Sequence, residues 1–391
     1  MFPEFFEFFN PTRVVFSPGI VSDFKAELDA IGVKRYFLIS NRGVNSAGIV
    51  DRVKKGLKYA EVEIIGEYFD VSQDAELDGI KSCAAQAKAE GAQGLIAVGG
   101  GSVIDTAKAV NILLSEGGDL VEDYSGSQTL TKPLKPLVVL PTTAGTGSEV
   151  TMAAVVYDRK NKTKLAFSDM YLLPNLAVLD PELTLSLPPQ LTAATAMDAL
   201  THAVEAFISL QWSPYTDALA IGAVELVFRH VIPAVEQGQD LEARSGLQIA
   251  ANMAGIAFSH AMVGCVHSMA HAVGGICRVP HGAANAILLP HGMEYNLELV
   301  QEKLALLAPV MGEEINGQSL EQTAKKSIEA VRRLPLRLNM LCELPVSLRE
   351  VRKTKEVLPE IAEAAMMDCT SFYNPRPVTA EDILIHLQNA Y

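Results

Sequence analysis

The chain is poor in the residues that mark an oxidising compartment, a nucleic-acid partner or a membrane. It has five cysteines in 391 residues, at positions 83, 265, 277, 342 and 369, and no CxxC pair. An odd, scattered set excludes a disulfide framework and a cysteine zinc cluster, so a cytoplasmic location is expected. Basic residues are outnumbered, 32 Lys and Arg against 46 Asp and Glu, for a net charge of −14. An acidic balance of that size excludes nucleic acid and anionic membrane as principal partners. No apolar run reads as long enough to span a bilayer. The N-terminal MFPEFFEFFNPTR holds Glu4 and Glu7 and lacks both a basic region and a small-residue cleavage site, so no targeting segment is expected.

What is present is a globular composition, 49% apolar and 20% charged, in a chain long enough for two cores. Short apolar strands at 35–40 (RYFLIS), 62–68, 94–98 (GLIAV) and 137–140 (LVVL) alternate with helical spacing at 77–90 and 102–116. That alternation predicts a parallel sheet flanked by helices, an α/β domain. After Asp180-Pro181 the strand signals fade. Ala-, Leu- and Met-rich helical periodicity takes over at 192–209, 215–237 and 241–273, the pattern of an all-α domain. Pro181, Pro188 and Pro189 punctuate the change, which places the domains at 1–182 and 183–391.

Gly99-Gly100-Gly101-Ser102 follows the strand GLIAV and opens a helix. Glycines there let the backbone approach a ligand, and a helix N-terminus offers N–H groups and partial positive charge to a pyrophosphate. The usual G-x-G-x-x-G is not met, because position 104 is Ile. A tight packing turn explains the glycines equally well. Asp105 and Lys108 lie one and two turns into the helix. A second loop, Pro141-Thr142-Thr143-Ala144-Gly145-Thr146-Gly147-Ser148-Glu149, also follows a strand. Two such loops at strand C-termini suit the edge where open α/β sheets bind ligands.

The second half carries a different chemistry. Asp198 and His202 stand i, i+4 in DALTH, and His267 and His271 repeat that spacing in HSMAH. His281 follows in Pro280-His281-Gly282 at a helix end or loop. Each pair alone is common in ordinary helices. Together, four of the eight histidines fall in two apolar, Ala- and Gly-rich segments, and a shared divalent metal such as Fe(II) or Zn(II) satisfies several at once.

These motifs together resemble the iron-containing (group III) alcohol dehydrogenase family over nearly the whole chain. One long motif runs through Leu179-Asp180, Pro188, Thr195, Asp198 and Glu205. The other runs from Gly264 through His267, Ala270, His271, Gly274-Gly275, His281 and Gly282. The two glycine loops, with Asp105, Lys108, Gly145, Thr146 and Glu149, match as well, as do Asp368-Cys369 and Asn374-Pro375-Arg376. The resemblance implies a dehydroquinate-synthase-like fold: a Rossmann-like dinucleotide-binding domain, then a helical metal-binding domain, with the active site in the cleft between them. It assigns metal ligation to Asp198, His202, His267 and His281. His271 falls near the reacting centre, and we expect it to carry the proton. Residues 99–102 fall on the pyrophosphate, Asp105 is counted with them as cofactor-binding, and Thr142, Thr143, Thr146 and Lys164 approach the ribose and nicotinamide. Leu179 and Phe258 line the cleft.

Asn41 stands where the family often has an aspartate that binds the adenosine ribose, and Arg42 follows it. NAD is the expected cofactor, with NADP as the alternative. Residues 70–74 (DVSQD) lack the family's prolines. The implied reaction interconverts a small primary alcohol or diol and its aldehyde, in a homodimer or larger homo-oligomer. A hydroxyacid–oxoacid transhydrogenase that retains its nicotinamide is the first alternative. A dehydroquinate-synthase-like lyase is a more distant one, because that relative uses a different ligand set.

Overall fold

The computed structural model describes residues 2–161, 163–351 and 355–391. It divides into two compact units, Phe9–Leu187 and a second made of Pro188–Tyr391 with the short segment Met1–Phe8.

In the Phe9–Leu187 unit the strands in chain order are β1 (Arg13–Phe16), β2 (Arg35–Ile39), β3 (Glu63–Tyr68), β4 (Gly94–Gly99), β5 (Gly126–Ser127), β6 (Leu137–Pro141), β7 (Ala153–Asp158), β8 (Thr163–Ser168) and β9 (Leu176–Leu179). Six of them form one sheet in the order β1-β9-β6-β4-β2-β3, every pairing parallel. Alternate residues face opposite sides, as the two-residue period requires. Phe37, Ile39, Leu95, Ala97 and Val139 enter one core, beneath the Leu77–Ala89 and Gly101–Ser115 helices. Tyr36, Leu38, Ile96, Val98, Val138 and Leu140 enter the other. Burial on both faces explains the unbroken apolar runs in the sequence.

From β2 the chain steps outward to β3, returns past β2 to β4, then continues through β6 to β9. The order therefore reverses between β2 and β4. Outside the carboxyl ends of strands at such a reversal lies the ligand crevice of open α/β sheets. A smaller sheet, β5-β8-β7, holds the antiparallel β7–β8 hairpin. β1, β5, β7, β8 and β9 are strands beyond those expected from the sequence.

The Pro188–Tyr391 unit contains no strand among its described residues. Its long helices are Pro189–Ile208, Pro214–Glu236, Leu241–Ala261, Cys265–Cys277, His281–Val310 (bent at Val300) and Leu320–Cys342. The helical span expected at 241–273 is in fact two helices bent by 103°. The break falls where Met262 takes φ +63° and Gly264 leaves helical geometry. The bend gives His267 and His271 a short helix of their own.

The expectation that no apolar run reaches spanning length needs correction. Pro214–Glu236 is long and apolar enough by length and composition, and the bent pair of helices passes the same test jointly. Pro214–Glu236 packs along Pro189–Ile208 and Leu241–Ala261, which accounts for its apolar face as core.

Candidate metal centre and nucleotide-binding turn

In the helical unit, three helices bring the expected ligands together. Asp198 and His202 lie one turn apart on Pro189–Ile208, His267 on Cys265–Cys277, and His281 opens His281–Val310. One donor atom from each of the four lies within 4.8 Å of all the others. Four donors around one ion at bonds of about 2.1 Å stand about 3.4 Å apart. His281 Nε2 is 3.3 Å and His267 Nε2 4.0 Å from Asp198 Oδ1, close to that spacing. Asp198, His202 and His267 are buried, and His281 is partly exposed, which leaves one open approach.

Close backbone approach makes the grouping possible. A methyl group on Gly282 would meet the Ala194 carbonyl at 2.2 Å. With glycine there, the start of the His281 helix lies directly against the helix that carries Asp198.

Glu205 completes the face begun by Asp198 and His202, at i+7 and i+3 from them. Its Oε1 accepts from the Val266 N–H at 2.7 Å, and its Oε2 accepts from the His267 N–H at 3.2 Å. These are otherwise orphan N–H groups in the first turn of the Cys265–Cys277 helix. The same Oε2 lies 2.5 Å from His267 Nδ1. With the ring proton on Nδ1, the lone pair of Nε2 faces the other donors. Burial pushes the Glu205 carboxyl up to about 7, even though three backbone N–H groups oppose that shift. Burial, with His271 close by, holds the His267 pKa well below the ordinary imidazole value and so keeps it neutral. Asn285 Nδ2 donates to Asp198 Oδ1 at 2.7 Å and stands 3.3 Å from Nε2 of both His267 and His281.

His202 stacks on Phe258 with ring centroids 4.1 Å apart, so Phe258 packs against the ligand group. His271 lies outside the four, its ring parallel to His281 at 5.4 Å. Its Nδ1 is 2.8 Å from Asp368 Oδ2. Glu205 and Asp368 are legible in the sequence only as motif positions without a role, and Asn285 carries no sequence signal.

In the α/β unit, the parallel strands carry most of the expected cofactor residues to one edge. Asn41 follows β2, Gly99 ends β4 and residues 100–102 follow it, Thr142, Thr143 and Thr146 follow β6, and buried Leu179 ends β9. Gly99 pairs in register with Pro141, so the two loops begin side by side. A methyl on Gly100 would lie 2.9 Å from Thr143 Oγ1, and one on Gly101 2.6 Å from Thr146 Cγ2. The glycines thus serve loop packing and also clear the N-terminus of the Gly101–Ser115 helix.

Asp105 accepts from Ser148 Oγ at 2.6 Å and from the Val155 N–H at 3.1 Å, tying that helix to the second loop and to β7. Ser102 Oγ donates to the Gln73 carbonyl. Asn41 Oδ1 caps the short Arg42–Ser46 helix through the Val44 N–H. Arg42 Nε pairs with Asp70 at 2.7 Å, both side chains being largely exposed. Lys164 is on β8, 3.9 Å from Asp74, in the smaller sheet.

A glycine-rich strand–helix turn beside a strand-order reversal in one unit, and a buried carboxylate–imidazole cluster in the other, suit a metal-dependent oxidoreductase. Comparison with known proteins agrees. The family profile described as iron-containing alcohol dehydrogenase matches residues 11–181, and that of the C-terminal part of the Fe-containing alcohol dehydrogenase family matches 192–391. The chain is 38% identical to 1,3-propanediol dehydrogenase of Klebsiella pneumoniae, with 99% of each chain covered. It is 35% identical to the NAD-dependent methanol dehydrogenase of Bacillus methanolicus, over 98% of this chain and 99% of that one. Among solved structures, a 1,3-propanediol oxidoreductase superposes with TM-score 0.94 at 37% identity, covering 99% of this chain and 100% of that one. The chain belongs to the iron-containing alcohol dehydrogenase family, and it is an alcohol dehydrogenase.

Proposed function

We propose that the protein interconverts a small primary alcohol or diol and its aldehyde, using NAD and a divalent iron held by Asp198, His202, His267 and His281. The convergence of those four donor atoms within 4.8 Å carries this reading. The substrate class follows the relatives named for 1,3-propanediol and methanol, and the choice of NAD follows the relative named NAD-dependent. The iron follows the family description, and imidazole with carboxylate also accommodates Zn(II).

A divalent ion there supplies Lewis-acid chemistry, which lowers the pKa of an alcohol hydroxyl and polarises an aldehyde carbonyl. Asp198 is the one anion among the four donors, so a divalent ion held there would keep about one positive charge, which favours loss of a proton from the alcohol. In oxidation the alcohol loses a proton from oxygen and a hydride from carbon. A bound nicotinamide would supply the hydride acceptor, and His271 would take the proton. The pyrophosphate rests on the N–H groups of residues 99–102. Thr142, Thr143, Thr146 and Lys164 hold the ribose and nicotinamide side, and Asn41 the adenosine ribose. Asp105 keeps the two loops together, and Leu179 backs the crevice.

In this reading Phe9–Leu187 binds the dinucleotide and Pro188–Tyr391 the metal and substrate. The protein works in the cytoplasm as a homodimer or larger homo-oligomer. Its five cysteines, all free, support the location, and the family resemblance supports the assembly. The deciding experiment is a panel of alcohols and aldehydes with NAD(H) and NADP(H), run on protein reconstituted anaerobically with Fe(II) or Zn(II). Turnover of short primary alcohols only in metal-loaded protein is expected. Equal rates after chelation overturn the reading.

A further inference from the structure

The C-terminal tail is bolted onto the histidine cluster from outside it. Asn374 Oδ1 accepts from the Cys265 N–H at 3.2 Å, at the start of the helix that carries His267 and His271. Asn374 and Asn296 exchange hydrogen bonds at 2.8 and 3.0 Å, and the Arg376 guanidinium donates to the Tyr295 carbonyl. The Leu210 N–H donates to the Tyr373 carbonyl at 3.0 Å. Within this anchored segment the two oxygens of Asp368 have separate tasks. Oδ1 accepts from Thr370 N at 2.9 Å and from Thr370 Oγ1 at 2.8 Å. Oδ2 is left to face His271 Nδ1 at 2.8 Å, across 97 residues of sequence.

We propose that Asp368 is a positioning residue for the proton step: it holds the His271 ring proton on Nδ1, so that Nε2 is the atom that takes the proton from the alcohol. This rests on the alcohol dehydrogenase reading and on His271 as its proton carrier. A neutral imidazole has one N–H and one lone pair, and the partner of one nitrogen decides the state of the other. A carboxylate is an acceptor only, so Nδ1 must donate to it. Burial tends to raise the Asp368 pKa, but the His271 and Thr370 donors outweigh it and lower it to about 2, which keeps Asp368 an acceptor. Anchoring by Thr370 and Asn374 fixes the carboxylate, and with it the ring orientation.

The test compares D368A and D368N, each alone and combined with H271A, in metal-loaded enzyme. We expect D368A to lower kcat by about 10- to 100-fold with metal content kept and alcohol KM within about twofold. D368N retains volume and the Thr370 contacts, but its amide N–H can donate to Nδ1, which moves the ring proton to Nε2. It should therefore be at least as slow as D368A, whereas a residue that merely braces the tail gives the opposite ranking. In the H271A background either substitution should change kcat by less than about twofold, because the two act through one group. The proposal is overturned if D368A keeps wild-type kcat, if D368N is the milder variant, or if the losses persist undiminished in H271A. The wild type without alcohol turnover, or H271A at full rate, instead sinks the reading on which the proposal stands.

Discussion

Glu205 Oε2 and His267 Nδ1 stand 2.5 Å apart across 62 residues of sequence, and the same carboxylate caps the helix on which His267 rides. One side chain thereby sets both the position and the tautomer of a proposed metal ligand. In E205Q the amide N–H faces Nδ1 and the lone pair is no longer directed at the ion. Metal affinity should fall about 10- to 100-fold, with kcat at saturating metal changed far less. Competition against a chelator of known affinity measures it. Unchanged affinity would show that the carboxylate matters only for the helix.

His267 and His271 share a helix but should respond differently. H267A removes a donor from the four, so metal content and turnover are expected to disappear together. H271A leaves the four intact and should retain metal while kcat drops by about 100-fold or more. Metal analysis beside steady-state rates separates the two. Full turnover in either variant contradicts the assignment.

Lys108 is wholly enclosed, and its Nζ donates to the Thr151 carbonyl and hydroxyl and to the Ala153 carbonyl. It fastens the Gly101–Ser115 helix to β7. K108M removes these three donors and the cation near Asp105, and should cost about 3–5 kcal/mol in denaturant unfolding. Burial lowers the Lys108 pKa to about 8, against the opposing pull of Asp105 and Glu149. Between pH 8 and the ordinary lysine value of 10.5 the unfolded chain therefore binds more protons than the folded one. Stability from this group rises with pH across that window, by at most about 1.4 kcal/mol per unit. K108M should lack that slope.

In the proposed reading, cofactor choice turns on Asn41, which is followed by the exposed Arg42–Asp70 pair. Aspartate caps a helix as well as asparagine does, so N41D keeps the turn and adds a charge beside the adenosine ribose. The ratio of kcat/KM for NADP to that for NAD should fall about tenfold, since a 2′-phosphate meets a carboxylate. An unaltered ratio would place the adenosine elsewhere.

Much of this was legible in the sequence because its signals are local. β2, β4 and β6 are buried on both faces and read as apolar runs, and the ends of β4 and β6 are marked by Gly99 and Pro141. The i, i+4 spacing exposed Asp198 with His202 and His267 with His271. β1 is an exposed edge and β8 is half exposed, so neither carries a clean period in the sequence. The break after Ala261 was hidden because Met262, an ordinary apolar residue, makes the turn. Asp368 reaches His271 from 97 residues away, and Asn285 joins residues of three helices; such contacts leave no spacing to read.

The four donors come from three helices, with Gly282 pressed against Ala194 at the junction. An ion seated among them acts as a rivet. Whatever grips the folded arrangement alone also resists its undoing, by about 2.7 kcal/mol when free ion stands at a hundred times its dissociation constant. Scarcity of that ion, whichever divalent metal it is, would then weaken the protein's endurance as well as its chemistry.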